Sequence, residues 1–146
     1  YLGVNLQWSE LAQHLFEMVV PEFAANVRKG DLVVAGKSFG SGHAHFLVQA
    51  VQALVAGGAG GCIAKSYAGA FQRRALNGGF PAIESQDVYG LVETGDEIEL
   101  DLRAGRVRNL TRDRVVAVQP MPQMIMDILE SGGLEAYAVR RLKTST

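Results

Sequence analysis

The stretch LVVAGKSFGSGHAH, residues 32–45, joins an apolar run to a glycine-rich turn and leads into a helical pattern. Its first four residues have the composition of a buried strand, and Gly36, Gly40 and Gly42 follow within seven positions. Glycine lets the backbone approach a ligand closely, and the first N–H groups of the next helix point at whatever lies there. We therefore predict a binding loop over residues 36–45, with an anion as its natural ligand.

Two known phosphate-binding patterns do not fit this loop. Residues 36–38 look like the end of a nucleotide-binding P-loop, but that motif needs a glycine at position 31, where this chain has Asp31. A dinucleotide fingerprint starting at Gly40 and Gly42 would need its third glycine at His45. Neither reading explains the loop.

The elements around the loop predict an alternating α/β unit. Ser9 is expected to cap a helix that ends at Pro21, with an apolar face formed by Leu11, Leu15, Met18 and Val19. Behind the loop, a second helix is predicted, and its apolar face consists of Phe46, Leu47, Ala50, Val51, Leu54 and Val55. Gly57-Gly58 ends it, and a strand near 61–65 and a helix near 69–77 complete a βαβα unit with parallel strands. Binding sites in such sheets lie beyond the carboxyl ends of the strands, where the loop emerges.

The last third of the chain has a different period. Residues 97–102 alternate strictly between charged and apolar, which is typical of a strand with one wet face. Ala104-Gly105 turns it into a strand at 106–108, and residues 115–118 are predicted to add another. Pro122 begins a helix with Met124, Ile125, Ile128 and Leu129 on its apolar face, and Gly132-Gly133 separates it from a terminal helix at 134–142. We predict one α/β domain over residues 1–146, with a mixed sheet, an antiparallel portion and C-terminal helices.

The loop resembles the pattern G-x-x-F-G-x-G-S-S-R-E of the swivelling domain of the aconitase superfamily, especially the isopropylmalate dehydratase small subunit. Residues 63–81 are similar to the family's segment I-A-K-S-F-A-x-x-F-x-R-N-A-x-x-x-G-L-P. Further similarity lies in residues 21–24, 29–31, 95–102, 108–111 and 128–134. The resemblance thus extends over nearly the whole chain.

This resemblance implies a fold, an activity and a partner. The fold would be a single swivelling domain, whose first strand we expect to precede Tyr1. The activity would be the reversible dehydration of a hydroxy acid, as in leucine biosynthesis, by a heterodimer. The family holds a [4Fe-4S] cluster in a separate large subunit, so this chain would need no cofactor of its own and would supply the opposite wall of the site.

The sequence departs from the family pattern at the positions of the catalytic and substrate-binding residues. His43 stands where the family's catalytic serine would lie, Ala44 replaces the second serine, and His45 replaces the arginine that clamps a substrate carboxylate. An imidazole titrates near neutrality, so His43 is a candidate proton acceptor, whereas His45 cannot reproduce a bidentate clamp. We expect the substrate to differ from isopropylmalate. The residues predicted to bind it are Ser41, Gly42, Ala44, His45, Tyr1, Leu2 and Gly3.

Composition limits the remaining classes of function. The 146 residues are 48% hydrophobic and carry a formal net charge of −1, which allows one full core and provides no basic field for nucleic acid. The apolar runs end well before the ~20 residues of a membrane span, and we expect a cytoplasmic protein. Cys62 is the only cysteine, so it forms no internal disulfide and holds no cluster by itself; we expect it in the core.

Three functions remain open: a hydro-lyase subunit, a non-catalytic binding or regulatory paralogue, and a free-standing metal- or anion-binding domain. His43 and His45 are too few ligands for a metal without a third group, so we assign none. Lys37 is either an anion contact or a solvated lysine, and Arg73 and Arg74 are explained by ion pairing as well as by substrate contact. His14 is expected at the surface without a function.

Overall fold

The computed structural model describes residues 7–42 and 47–144. Its helices are α1 (Trp8–Ala12), α2 (Phe23–Asn26), α3 (Leu47–Ala56), α4 (Phe71–Asn77), α5 (Gln123–Glu130) and α6 (Leu134–Thr144), with a 3-10 helix at Val88–Gly90. Its strands are β1 (Leu32–Ala35), β2 (Gly61–Ala64), β3 (Ala82–Glu84), β4 (Ile98–Asp101), β5 (Arg106–Asn109) and β6 (Arg114–Ala117).

The first three strands form a parallel sheet in the order β1-β2-β3. Val33 pairs with Cys62, and Ile63 pairs with Ile83. All four residues of the central strand β2 are buried, because helices cover one face of the sheet and a second sheet covers the other. The predicted strands and crossover helices are present, and α4 begins at Phe71, two residues later than expected.

Helices α3 and α4 pack on one face of the parallel sheet. Their shared core consists of Val33, Val51, Leu54, Ala59, Cys62, Phe71, Ala75, Phe80 and Ala82. Cys62 is fully buried in it, as predicted. Val55, which the sequence placed on the apolar face of α3, is instead exposed, because only one side of the helix meets the sheet.

The last three strands form an antiparallel sheet in the order β4-β5-β6, and the turn at Ala104-Gly105 connects the first two as predicted. This sheet covers the other face of the parallel one through a second core of Ile63, Ile83, Val88 and Val107. The parallel and antiparallel strands therefore lie in two facing sheets of three strands each among the described residues. The α/β class with an antiparallel portion and C-terminal helices is the predicted one.

The prediction of one helix from Ser9 to Pro21 is wrong. Helix α1 ends at Ala12, and Phe16 has a left-handed φ of 57°, which no helix continues through. The Phe16 ring packs edge-on against Phe23 at 4.8 Å between centroids, and this aromatic contact outweighs the helical propensity of the segment. Met18 is consequently 89% exposed rather than on a core-facing stripe.

Helix α5 follows Pro122 as predicted, but its buried side differs from the expected one. Met124 is exposed, whereas Met126 and Ile128 are buried. Helix α5 is thus rotated about its axis relative to the predicted orientation, so that Met126 and not Met124 faces the rest of the domain. Within residues 7–42 and 47–144, no helix is both long and apolar enough to cross a membrane.

The buried amide of Asn109 ties the antiparallel sheet to the loop before it. Its Nδ2 donates to the Leu91 carbonyl at 3.0 Å and to Asp96 Oδ2 at 2.7 Å, and its Oδ1 accepts the Arg112 amide at 3.1 Å. Asp96 Oδ2 also accepts the Glu93 amide at 2.9 Å and Arg112 Nε at 2.8 Å. One carboxylate oxygen thus binds both the loop before β4, through Glu93, and the end of β5, through Asn109 and Arg112.

We expect this carboxylate to make stability depend on acid pH. The Glu93 amide, then the Asn109 amide and the Arg112 guanidinium, hold the pKa of Asp96 below its ordinary value. A lowered folded-state pKa means that the stabilisation is complete above the unfolded-state pKa and is lost as the pH falls through the folded-state value. Urea unfolding of Asp96→Asn should therefore show a flatter loss of stability below about pH 4 than the wild type. Asp113→Asn, at an exposed position, is the control, and an unchanged acid slope in Asp96→Asn would contradict the assignment.

Candidate active site

The glycine-rich loop leaves the carboxyl end of β1 and lies beside the residues that follow β2. The Lys65 amide donates to the carbonyls of Ala35 and Gly36 at 3.2 and 3.1 Å, which continues the strand pairing to the start of the loop. Farther along, Phe39 and Tyr67 form an isolated parallel bridge. The loop is therefore placed where ligands bind in parallel sheets, at the carboxyl ends of adjacent strands.

Aromatic packing fixes the middle of the loop. The Phe39 ring meets Phe71 edge-on at 5.2 Å and Tyr67 edge-on at 6.0 Å between centroids. Tyr67 and Phe71 are stacked with an interplanar angle of 5°. Since Phe71 is 1% exposed, the loop is attached to the core of the domain and not to its surface alone.

The Tyr67 hydroxyl connects this aromatic cluster to the parallel sheet. It lies 3.0 Å from the Cys62 carbonyl and 3.1 Å from the Ile83 carbonyl, so its single proton is donated to β2 or to β3. Burial raises the pKa of Tyr67, and the nearby Cys62 raises it further, so the hydroxyl stays protonated and remains a donor. The hydroxyl thus attaches the aromatic cluster to the two adjacent strands β2 and β3.

The turn of the loop needs glycine at position 40. Gly40 has a φ of 79°, and a Cβ added there would lie 2.3 Å from Cγ of the Phe71 ring. Both the left-handed conformation and the closeness of the buried ring exclude a side chain. The same close approach lets the Phe39 ring reach the core.

Gly40→Ala is expected to destabilise the domain by about 1–3 kcal/mol, the usual cost of overpacking, and to disorder the loop. Gly36→Ala is the matched control, because a Cβ at Gly36 meets no atom within 4 Å. Denaturant unfolding of both variants checks the difference. Equal stability of the two variants would show that the Phe71 ring yields freely.

The described part of the site carries cations and no cluster ligands. Lys65 Nζ lies 5.0 Å from the centroid of the Tyr89 ring, and Lys37 is exposed on the loop. Cys62 lies beneath the loop with Sγ 3.2 Å from the Tyr67 hydroxyl, and burial raises the pKa of its thiol to about 11. The residues of this chain therefore do not fit an iron–sulfur cluster. In the described ranges, no three residues with acidic, thiol or imidazole side chains are grouped so that they could bind a metal.

The predicted site residues are described only in part. Ser41 and Gly42 lie exposed at the open end of the loop. The other predicted site residues, His43, Ala44, His45, Tyr1, Leu2 and Gly3, lie outside the described residues. His14 is a surface residue as expected, with Nδ1 2.7 Å from Glu17 Oε2.

Sequence reasoning gave Ser66 no role, although the structure places it against the loop. Its Oγ accepts the Ser38 amide at 2.9 Å, and its carbonyl accepts the Phe39 amide at 2.9 Å. The available signal was its position two residues after the end of a buried parallel strand, at the same edge of the sheet as the loop.

Comparison with known proteins identifies the architecture. The 3-isopropylmalate dehydratase small subunit of Moorella thermoacetica is 39% identical over 136 residues, which is 93% of this chain and 81% of that protein. The chain belongs to the family of 3-isopropylmalate dehydratase small subunits. It is thus an aconitase-family hydro-lyase small subunit, as the resemblance implied. No family model matches the chain.

A solved structure and a second relative support the same family. A crystal structure of 3-isopropylmalate dehydratase from Methanocaldococcus jannaschii has a TM-score of 0.87 at 30% identity, covering 97% of this chain and 83% of that one. This match confirms the fold class. The methanogen homoaconitase small subunit of Methanothermobacter thermautotrophicus is 41% identical and covers 92% of this chain and 76% of that protein. Relatives at similar identity are thus named for different substrates.

Proposed function

We propose that this chain completes the active site of a heteromeric hydro-lyase that reversibly dehydrates a hydroxy acid other than 3-isopropylmalate. The loop that follows β1 carries this proposal, because Ser66, Tyr67 and Phe71 hold it at the carboxyl ends of the strands. Its sequence contains His43 and His45 where the family pattern has serine and arginine. The structure contains the strands and aromatic contacts that support the loop, and the proposed change lies in the side chains at positions 43–45.

His43 is proposed to move the proton in this reaction. Dehydration removes a proton from the carbon next to the one that bears the hydroxyl, the C–H electron pair forms the alkene, and the C–O bond breaks. The departing hydroxide takes one proton from solvent to leave as water, and the imidazolium releases its proton to solvent before the next turnover. A neutral imidazole accepts that proton without prior activation, and the resulting imidazolium returns it in the hydration direction. His45 offers one positive or hydrogen-bonding contact, whereas an arginine guanidinium binds a carboxylate through two parallel hydrogen bonds. We therefore expect a substrate with a carboxylate arrangement different from that of 3-isopropylmalate.

The [4Fe-4S] cluster of this chemistry is proposed to reside in a large subunit. Cys62 is the only cysteine of the chain, and it is buried with Sγ against the Tyr67 hydroxyl. Cubane clusters need three or four thiolates, which this chain does not have. The site is therefore shared between two polypeptides, which we expect to assemble in the cytoplasm.

Reconstitution tests this proposal. The purified chain is mixed with the large subunit that is co-expressed with it, and formation of the unsaturated acid is followed by absorbance for a panel of hydroxy di- and tricarboxylic acids. We expect activity only in the mixture, with a substrate preferred over 3-isopropylmalate. Turnover by the isolated chain would refute the shared site. A mixed complex that is inactive on every acid would instead favour the non-catalytic paralogue.

An exposed apolar turn beside the loop is proposed to contact the large subunit. Phe16 packs against Phe39 of the loop at 6.0 Å between ring centroids. Met18 and Val19, two and three residues farther along the chain, are 89% and 79% exposed. Contiguous exposed apolar surface is typical of interaction sites, and these adjacent side chains would contribute to such a surface. Because Phe16 links the turn to the loop, a subunit that closes the site also covers the turn.

Charged substitutions in this turn should weaken assembly. Met18→Glu combined with Val19→Lys keeps the net charge and is expected to raise the Kd for the large subunit by about tenfold or more, because buried apolar contacts are replaced by desolvated charges. The matched control is Met124→Glu with Val115→Lys, since both side chains are more than half exposed elsewhere on the domain. Titration calorimetry measures both variants, and equal affinities would place the interface on another face.

A further inference from the structure

Ser66 binds two successive amides of the loop at once. Its Oγ accepts the N–H of Ser38 at 2.9 Å, and its backbone carbonyl accepts the N–H of Phe39 at 2.9 Å. The Ala68 amide then donates to the Phe39 carbonyl at 2.9 Å. These N–H groups belong to the two peptide planes on either side of the Ser38 Cα atom, so together they restrain φ and ψ of Ser38.

This clamp lies at a strained point of the backbone. Ser38 has a φ of 57°, in the left-handed region that residues other than glycine rarely adopt. Such a conformation persists only where the surrounding contacts determine it, and it occurs preferentially at functional sites. The Ser38 amide donates to Ser66 Oγ, 28 residues away in sequence, and the Ser38 carbonyl accepts the Ser41 amide at 3.2 Å within the turn.

The direction of the rest of the loop depends on this conformation. The Phe39 ring packs against Phe71 and Tyr67, so the following residues start from a fixed position. A change of φ and ψ at Ser38 would rotate either the Phe39 ring out of its seat or the following turn away from the strand ends. The hydroxyl of Ser66 therefore controls the direction of the described part of the loop, from Phe39 through the turn at Gly40 to Gly42.

We propose that Ser66 is a positioning residue of the active site, which sets the direction of the loop that carries His43 without touching the substrate. This inference rests on the proposed function for its catalytic consequence. Its structural part, the retention of Ser38 by the Ser66 hydroxyl, is a property of this chain alone.

Three variants separate this role from a general loss of stability. Ser66→Ala removes the acceptor, and Ser66→Thr keeps a hydroxyl at the same carbon. Ser85→Ala is the matched control, because Ser85 also follows a parallel strand and its Oγ accepts a backbone amide, that of Val88 at 3.4 Å, without contact to the loop. All three variants are prepared as full-length chains, and their melting temperatures are recorded beside the other measurements.

The first measurement is amide hydrogen exchange of Ser38 in the isolated chain, by NMR. We expect exchange about tenfold faster in Ser66→Ala, and near the wild-type rate in Ser66→Thr and Ser85→Ala, because a single hydrogen bond protects that amide. Unchanged exchange in Ser66→Ala would overturn the proposal regardless of any activity.

The second measurement is steady-state kinetics of the complex with the large subunit. In Ser66→Ala, kcat is expected to fall about 10- to 100-fold while KM stays within about twofold, since a reacting group displaced by a fraction of an ångström loses its geometry. The pH profile of the residual activity should keep its midpoints, and Ser66→Thr should recover most of kcat. A kcat loss no larger than that of Ser85→Ala would overturn the positioning role. A wild-type complex without activity would refute the proposed function, and with it the catalytic role of Ser66. The hydrogen exchange of the Ser38 amide would still show whether the Ser66 hydroxyl holds Ser38.

Discussion

His43→Ala is expected to lower the turnover of the assembled enzyme by about 10²- to 10⁴-fold while leaving the fold intact, the usual range for the loss of a general base. The reason is the position of His43 in the loop, one residue beyond Gly42, where the family resemblance implies a catalytic serine. The side chain belongs to a loop whose preceding turn is attached to β2, so its removal should alter chemistry rather than packing. Steady-state kinetics of the complex measure the effect.

Two further histidine variants make this result specific. His14→Ala removes an exposed imidazole paired with Glu17 and should leave turnover unchanged. His45→Ala should mainly raise KM, because that position is proposed to hold the substrate. If His43→Ala retains full activity, the imidazole is a bystander, and the proton acceptor belongs to the large subunit.

A return to the family's residues tests specificity from the other direction. His43→Ser combined with His45→Arg is expected to shift preference towards 3-isopropylmalate, because the arginine restores a planar fork for a carboxylate. This variant keeps Ala44 and Gly3, so any change in preference follows from positions 43 and 45 alone. Preference unchanged from the wild type would show that specificity is set by residues outside positions 43 and 45.

Phe71→Ala is expected to reduce the free energy of unfolding by about 3–5 kcal/mol, the range for a fully buried phenylalanine. Phe71 is 1% exposed, stacks on Tyr67 and meets Phe39 edge-on. Its removal creates a cavity at the point where α4, β2 and the loop come together. We therefore expect the melting temperature to fall by about 10 °C, and the loop to lose the contact between Phe39 and Phe71.

Tyr89→Ala provides the matched aromatic control. Tyr89 is 48% exposed, and its ring contacts Lys65 Nζ, so the expected cost is only about 1 kcal/mol. Denaturant and thermal unfolding of the two variants give the comparison. Costs of similar size would mean that the aromatic cluster under the loop contributes little to the fold.

The sequence predicted those elements whose pattern is local. Strand β1, helix α3 and the hairpin at Ala104-Gly105 have clear periods and turn residues, and the structure has them where they were expected. Strand β3 was missed because it has only three residues, and its pairing with β2 rather than its own composition makes it a strand. The segment after Ala12 was predicted wrongly because the packing of Phe16 is a long-range contact that no helical pattern reveals.

For the site, the sequence predicted the loop but not its supports. The glycines and the preceding apolar run were enough to place a binding loop after β1. The Ser66 clamp joins residues 28 positions apart, and the Phe71 ring that excludes a side chain at Gly40 is 31 positions away. Such contacts follow from the tertiary fold, and the roles of His43 and His45 stay predictions.

The position of Cys62 determines how the two polypeptides respond to oxidants. Its sulfur is fully buried, the nearby hydroxyl is that of Tyr67, and a thiol with a pKa of about 11 has almost no reactive thiolate at neutral pH. This chain should therefore survive purification in air and treatment with alkylating reagents unchanged. When a thiol reagent or oxygen inactivates the assembled enzyme, the damage can be assigned to the other polypeptide, and fresh large subunit added to the same small subunit should restore activity.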